Sequence, residues 1–423
     1  MAPTTRGWIV VLSAFAIDLL LGATFVWSAT PAGVPNLAVG SLTWSLCLTA
    51  LGFAIVMPFA GAFHDHFGPR SGATLGAVLV GFGLLTGVEV PVAQPLSAWP
   101  PITALGFGLI TGAGVALCYA ATTPCAMKWF APRHRGLVAG IVVCGFSIPW
   151  LLGATSLDGH VGRLGSPGAR IAITLAVFGT LAGLAQMLAT PPAGLVPPYS
   201  YGDATHAEEP IVAPPSYGWA EAARMPAFAA LWVALAVGTG AAIGALLVLV
   251  RPTAFTGSAL VTATTPARLI AATLGSIVGR PLAGLAFDLF GRRRTLSAAL
   301  ALMALALFFF AAWGASVGFA AALALGFGYG GLLAVSPALA FEEFGSVHSG
   351  ADYGVLFTGW GVGAVLAVLV DGALAASGAQ GYAAAFVAGG VACVFVAGLV
   401  WWVGPTILTR APGSRPADSP VRV

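Results

Sequence analysis

Apolar residues recur along this chain in unbroken runs of about 20, a pattern that few folds can accommodate. A run of that length crosses the hydrocarbon core of a bilayer as a helix, at about 1.5 Å of rise per residue. The spacing predicts twelve such helices, over 7–28, 40–63, 71–90, 102–127, 135–154, 169–190, 226–250, 263–287, 295–315, 317–340, 354–375 and 382–404. The runs are continuous rather than alternating, so helices are expected and not a barrel, because lipid tolerates no unpaired backbone. Only 7% of the residues are charged, against about a quarter in soluble domains. The chain is therefore read as an all-α integral membrane protein.

Basic residues orient such a chain, since positive loops stay on the cytoplasmic side. With the N-terminus inside, Arg6, Arg70, Lys128, Arg133, Arg135, Arg224, Arg292, Arg293, Arg294, Arg410, Arg415 and Arg422 fall in the cytoplasm, and only Arg163, Arg170, Arg251 and Arg268 outside. A multi-pass protein of the cell (inner) membrane with both termini cytoplasmic is expected. The net charge of +3 then reports topology and implies no nucleic-acid partner. The five cysteines lie in spans without metal-ligand spacing. The first span lacks a convincing cleavage site and is read as a retained helix.

One stretch reads Ser276-Ile-Val-Gly-Arg280-Pro-Leu-Ala-Gly284-Leu-Ala-Phe-Asp288-Leu-Phe-Gly291-Arg-Arg293. It has a twin: Pro58, Gly61, Asp65, Gly68 and Arg70 match Pro281, Gly284, Asp288, Gly291 and Arg293, each pair 223 residues apart. A repeat on this scale, with the one long non-apolar segment between its copies, predicts two like halves. The expected division is a six-helix bundle over 1–190, a cytoplasmic linker over 191–224, a second bundle over 225–405 and a disordered tail over 406–423. The repeated Gly, Asp and Arg residues are read as conformational loops, with Asp65 capping a neighbouring helix end or pairing with a basic residue. His64 and His66 flank Asp65, but side chains at i and i+2 leave a helix on different faces, so no metal is assigned there.

Arg280 departs from the repeat, its counterpart being Met57. It lies eight residues before Asp288 and so about 12 Å inside the membrane. A guanidinium keeps its charge. Holding one at that depth costs at least about 2–3 kcal/mol, which marks a functional site whose partner must be found. Asp18, about 17 Å into the first span, is either a structural acid bonded to a neighbouring helix or a proton carrier. Tyr119 needs a partner for its hydroxyl, whether backbone or ligand. Ser276 shares a helix face with Arg280 at i, i+4. Tyr329, Phe357 and Trp360 are the remaining candidates at central depth. Glu342, Glu343 and Asp352 are expected as solvated charges of an inner loop, and Glu89 and Asp371 as acids near the outer surface.

The doubled Gly-Asp-Gly-Arg pattern resembles the signature loop of the major facilitator superfamily. Lys128-Trp129-Phe130-Ala-Pro-Arg133-His134-Arg135-Gly-Leu-Val-Ala-Gly140 resembles the motif leading into helix five of the monocarboxylate transporter family. The bacterial oxalate/formate-exchanger branch shares it, and Phe25-Val-Trp27-Ser28 is similar to that branch. The resemblance implies two pseudo-symmetric six-helix bundles that rock about a central site. It also implies an anionic substrate held by Arg280. The chain departs from the animal carriers in three ways: Ser276 replaces an acid, the first span has no lysine, and Arg6-Gly7-Trp8 stands where an acidic motif would be. Proton coupling is therefore not carried over.

Read from the residues, Arg280 offers a planar fork matched to a carboxylate, among a serine, tyrosines and apolar side chains. One fixed charge suits a short monocarboxylate such as lactate or pyruvate, whereas a dianion like oxalate would prefer two cations. Asp18, the acid at central depth, is assigned the co-transported proton, and the expected carrier works as a monomer with no cofactor. The alternatives are an exchanger of the oxalate/formate type and a non-transporting membrane sensor. An enzyme is not expected, since no nucleophile–base or metal constellation is evident in the sequence.

Overall fold

A computed structural model describes residues 3–29, 39–86, 104–155, 167–192, 217–250, 259–313, 318–345, 347–374 and 378–408. Most of the expected linker, the far end of the tail, Glu89, Arg163 and Arg251 lie outside the described residues, so those expectations stay as they were.

All regular structure in the described residues is helical. Among the described residues, ten segments are long and apolar enough to cross a membrane. Two more helices, Pro69–Thr86 and Pro167–Ala185, occupy the expected third and sixth spans. In chain order the helices are α1 (Pro3–Ala29), α2 (Val39–Phe67), α3 (Pro69–Thr86), α4 (Thr111–Met127), α5 (Arg135–Cys144), α6 (Ile148–Thr155), α7 (Pro167–Ala185), the short α8 (Trp219–Ala222), α9 (Pro226–Val250), α10 (Ala259–Phe290), α11 (Arg292–Trp313), α12 (Gly318–Phe344), α13 (Ser349–Leu374) and α14 (Gly378–Leu408). A π-helical stretch, Ala104–Ile110, leads into α4.

The fifth pass is broken into α5 and α6 by a 3-10 turn, Gly145–Ser147. Pro149 explains the break, because it has no N–H to return to the Gly145 carbonyl as an α-helix requires. The tightened turn brings Gly145 against the Phe15 carbonyl, and a Cβ at Gly22 would strike the Phe146 carbonyl. The first and fifth passes are thereby fitted closely together at small residues, as membrane helices commonly are.

Two antiparallel seams join the halves: α2 along α13, and α5 along α10. In the first, Gly61 faces the Gly350 carbonyl and Gly354 the Met57 carbonyl; in the second, Gly284 faces the Gly136 carbonyl and Gly140 the Arg280 carbonyl. Gly136 and Gly140 lie 214 residues before Gly350 and Gly354. The repeat thus includes α5 and α13 as well as the signature loops. Gly68 and Gly291 end α2 and α10 with φ of 80° and 83°, a left-handed conformation that glycine adopts at little cost.

The structure corrects three expectations about acids. Asp352 is fully buried, and neither carboxylate oxygen has a hydrogen-bond partner among the described residues. The reason is that α13 starts at Ser349, earlier than the apolar run indicated, which draws Asp352 into the first turn beneath α2. Glu343 is not a free charge: its carboxylate lies 2.6 Å from Arg292. Asp371 is also buried rather than solvated.

Candidate functional site

Arg280 sits on α10 at the seam with α5 and is 3% exposed. Its Nη1 donates to the Val143 carbonyl, which belongs to the last turn of α5 and is also approached by the Gly145 amide. Its Nε has no partner, and no ion pair to Arg280 occurs among the described residues. Asp18 on α1 is fully buried. Its Oδ1 accepts from Thr122 Oγ1 at 3.0 Å, and its Oδ2 has no partner among the described residues. Asp18 lies close enough to Arg280 for the two charges to interact, without contact.

The aromatic candidates gather into one cluster. Tyr119 on α4 has its ring centroid 5.5 Å from Phe357, 5.9 Å from Phe53, 6.0 Å from Phe146 and 6.2 Å from Tyr353. Trp360 lies 5.0 Å from Phe53 and 6.3 Å from Phe25. Its indole Nε1 donates to the Tyr329 hydroxyl at 2.9 Å, which ties α13 to α12. Ser276 pairs with Ser147, the two hydroxyl oxygens 3.0 Å apart. All six residues proposed for substrate lie in or beside this central region, along with Asp18.

Phe53, Phe146, Ser147, Tyr353, Thr122 and the Val143 carbonyl complete the centre, and none was singled out from the sequence. The repeat contained part of the signal. The 214-residue offset sets Val143 opposite Phe357 and Ser147 opposite Gly361, while the 223-residue offset sets Phe53 opposite Ser276 and Met57 opposite Arg280. One seam is therefore aromatic and the other polar at matching levels. At these levels the arginine and the two serines belong to the α5–α10 side.

At one end of the bundle, the signature aspartates each cap a helix of the opposite half. Asp65 accepts from the Gly350 and Ala351 amides at 3.0 and 2.8 Å, and Asp288 from the Gly136 and Leu137 amides at 2.9 and 2.8 Å. Of the two readings for Asp65, helix capping is the one observed. A carboxylate meets both free amides and the positive end of the dipole there. Arg70 donates from Nε to the Leu188 carbonyl at 2.8 Å, and Arg293 lies within electrostatic reach of Glu343. His64 is buried and His66 packs against Phe67; among the described residues no three His, Cys, Asp or Glu converge as a metal site.

The family model described as Major Facilitator Superfamily matches residues 261–422. An uncharacterized MFS-type transporter of Escherichia coli, YhjX, is 24% identical over 365 residues, 85% of this chain and 86% of its own. An oxalate:formate antiporter of Oxalobacter formigenes is 26% identical over 86% of this chain and 85% of its own. Monocarboxylate transporter 13 of Bos taurus is 28% identical over 34% of this chain and 32% of its own. The crystal structure of the human organic anion transporter MFSD10 superposes with a TM-score of 0.65 at 15% identity, covering 95% of this chain and all of that one. Over residues 261–422 the chain thus matches the Major Facilitator Superfamily model, over most of its length it is similar to an MFS-type transporter, and it has the fold of solved transporters of that superfamily.

Proposed function

We propose that this protein is a secondary active transporter of a small monocarboxylate of the lactate or pyruvate type, carrying a proton with it by alternating access. The observation that supports the reading most is Arg280, buried between the halves and held by a carbonyl, with no acid in contact with it among the described residues. A guanidinium so placed is a ready partner for a carboxylate. The aromatic rings beside it suit a short apolar tail.

Coupling follows from energetics. An anion entering a cell works against about 2.3 kcal/mol per charge per 100 mV of membrane potential. A co-transported proton cancels that cost, and Asp18, buried with one oxygen unbonded, is the residue assigned to carry it. The cytoplasmic placement of both termini, the membrane of residence and function as a monomer belong to the same proposal. So does the role of the aspartate caps: they hold the two halves shut at one end and break when the carrier turns.

Anion exchange is the second reading, favoured by the similarity to the oxalate:formate antiporter along most of the chain. A dianion bound centrally would call for a second cation, and Arg280 stands alone at that level among the described residues. Uptake of labelled lactate into proteoliposomes separates the two. Symport is expected to run on an inward proton gradient with empty vesicles. Uptake that needs an anion preloaded inside would establish exchange instead.

A further inference from the structure

Ser147 and Ser276 face each other across the α5–α10 seam, one from each half, 4% and 8% exposed. Two hydroxyls carry two protons, and their mutual bond uses only one. The other O–H has no acceptor among the described residues. A buried donor left unpaired is costly, so such a group is usually satisfied by something. Ser276 is one helical turn from Arg280 on the same face, their side chains stemming about 5–6 Å apart. Arg280 likewise keeps its Nε unpaired.

The seam therefore presents a fixed cation with a neutral donor beside it. A plain carboxylate satisfies the first and not the second. A carboxylate with an oxygen on the adjacent carbon satisfies both. We infer that Ser147 and Ser276 together read the 2-oxygen of the substrate and restrict the site to 2-hydroxy and 2-oxo monocarboxylates. This rests on the carboxylate reading of Arg280. Either serine can be the donor in the pair, so the two protons can turn in concert. A 2-oxo group, which only accepts, and a 2-hydroxyl, which also donates, can then both be matched.

The test compares L-lactate with propionate, which differs by the hydroxyl alone, in titrations of the full-length purified protein. The wild type is expected to bind lactate about tenfold more tightly, the worth of one neutral hydrogen bond. In the Ser147→Ala/Ser276→Ala double variant the ratio is expected to fall to about one, with propionate binding serving as the check on folding. A wild type that binds the two acids equally overturns the inference and leaves the carboxylate site standing. A double variant that keeps the lactate preference overturns it too. One that binds neither acid shows that the pair only holds the helices together. A wild type that binds no carboxylate at all removes the Arg280 reading itself, and this inference with it.

Discussion

Arg280 donates to the backbone carbonyl of Val143 and to no carboxylate among the described residues. A carbonyl carries only a partial charge, so it fixes the guanidinium in place without neutralising it. An arginine with a purely structural role at this depth would be expected to pair with an acid, because an uncompensated charge in a low-dielectric interior is expensive. On the reading proposed above, the carboxylate of the substrate would complete this arrangement.

The first prediction follows directly. Arg280→Lys keeps the charge but loses the planar fork. Lactate affinity is expected to fall at least about tenfold, a bond to a charged group being worth about 1.5–3 kcal/mol. Titration of the purified variant measures this, and undiminished affinity would take the role away from Arg280.

Much of this fold is legible in the sequence. Run length predicted every span, since a bilayer fixes how long an apolar helix must be. The paired glycines and aspartates predicted two like halves, and Met57 opposite Arg280 pointed to the candidate site. What stayed hidden was anything set by packing between distant segments. Ser147 is one small polar residue in an apolar span until α5 and α10 bring Ser276 opposite it. Asp352 looked like a loop acid because its burial depends on where α13 begins and on α2 lying over it. The Val143 carbonyl is a backbone group, which no side-chain pattern marks.

Asp18→Asn is expected to uncouple transport. Asparagine preserves the volume and can still accept from Thr122, but it cannot take up a proton. Lactate counterflow between preloaded proteoliposomes should persist, while an inward proton gradient should no longer accelerate uptake. Uptake that remains pH-driven would move the proton to another residue.

Asp65→Asn and Asp288→Asn each weaken a helix cap by about 0.3–1 kcal/mol, because an amide lacks the charge that the helix N-terminus favours. The double variant should open more often at that end of the bundle. Ser349 is buried there beside the Asp65 cap, so Ser349→Cys, in a background without the native cysteines, is a suitable reporter. Faster alkylation of that cysteine is expected in the double variant, and an unchanged rate would count against the caps as a latch.

Gly140→Ala should damage the carrier without touching the ligand. A Cβ at Gly140 would strike the Arg280 carbonyl, and the Pro281 Cα lies 2.9 Å from the same point. Neither backbone atom can swing aside, so α10 must shift away from α5. Overpacking of this kind costs about 1–3 kcal/mol. It should lower the melting temperature and weaken lactate binding together, because the helix that moves is the one carrying Arg280.

Tyr119→Phe separates packing from ligand contact at the centre of the aromatic cluster. The ring makes its contacts with Phe53, Phe146, Tyr353 and Phe357 whether or not it bears a hydroxyl. The ring packing should therefore be kept in the variant. If the hydroxyl bonds the substrate, affinity should fall by about 1 kcal/mol, close to fivefold. If it serves only the protein, affinity should hold and stability should fall instead, so measuring both on one sample decides which role the hydroxyl has.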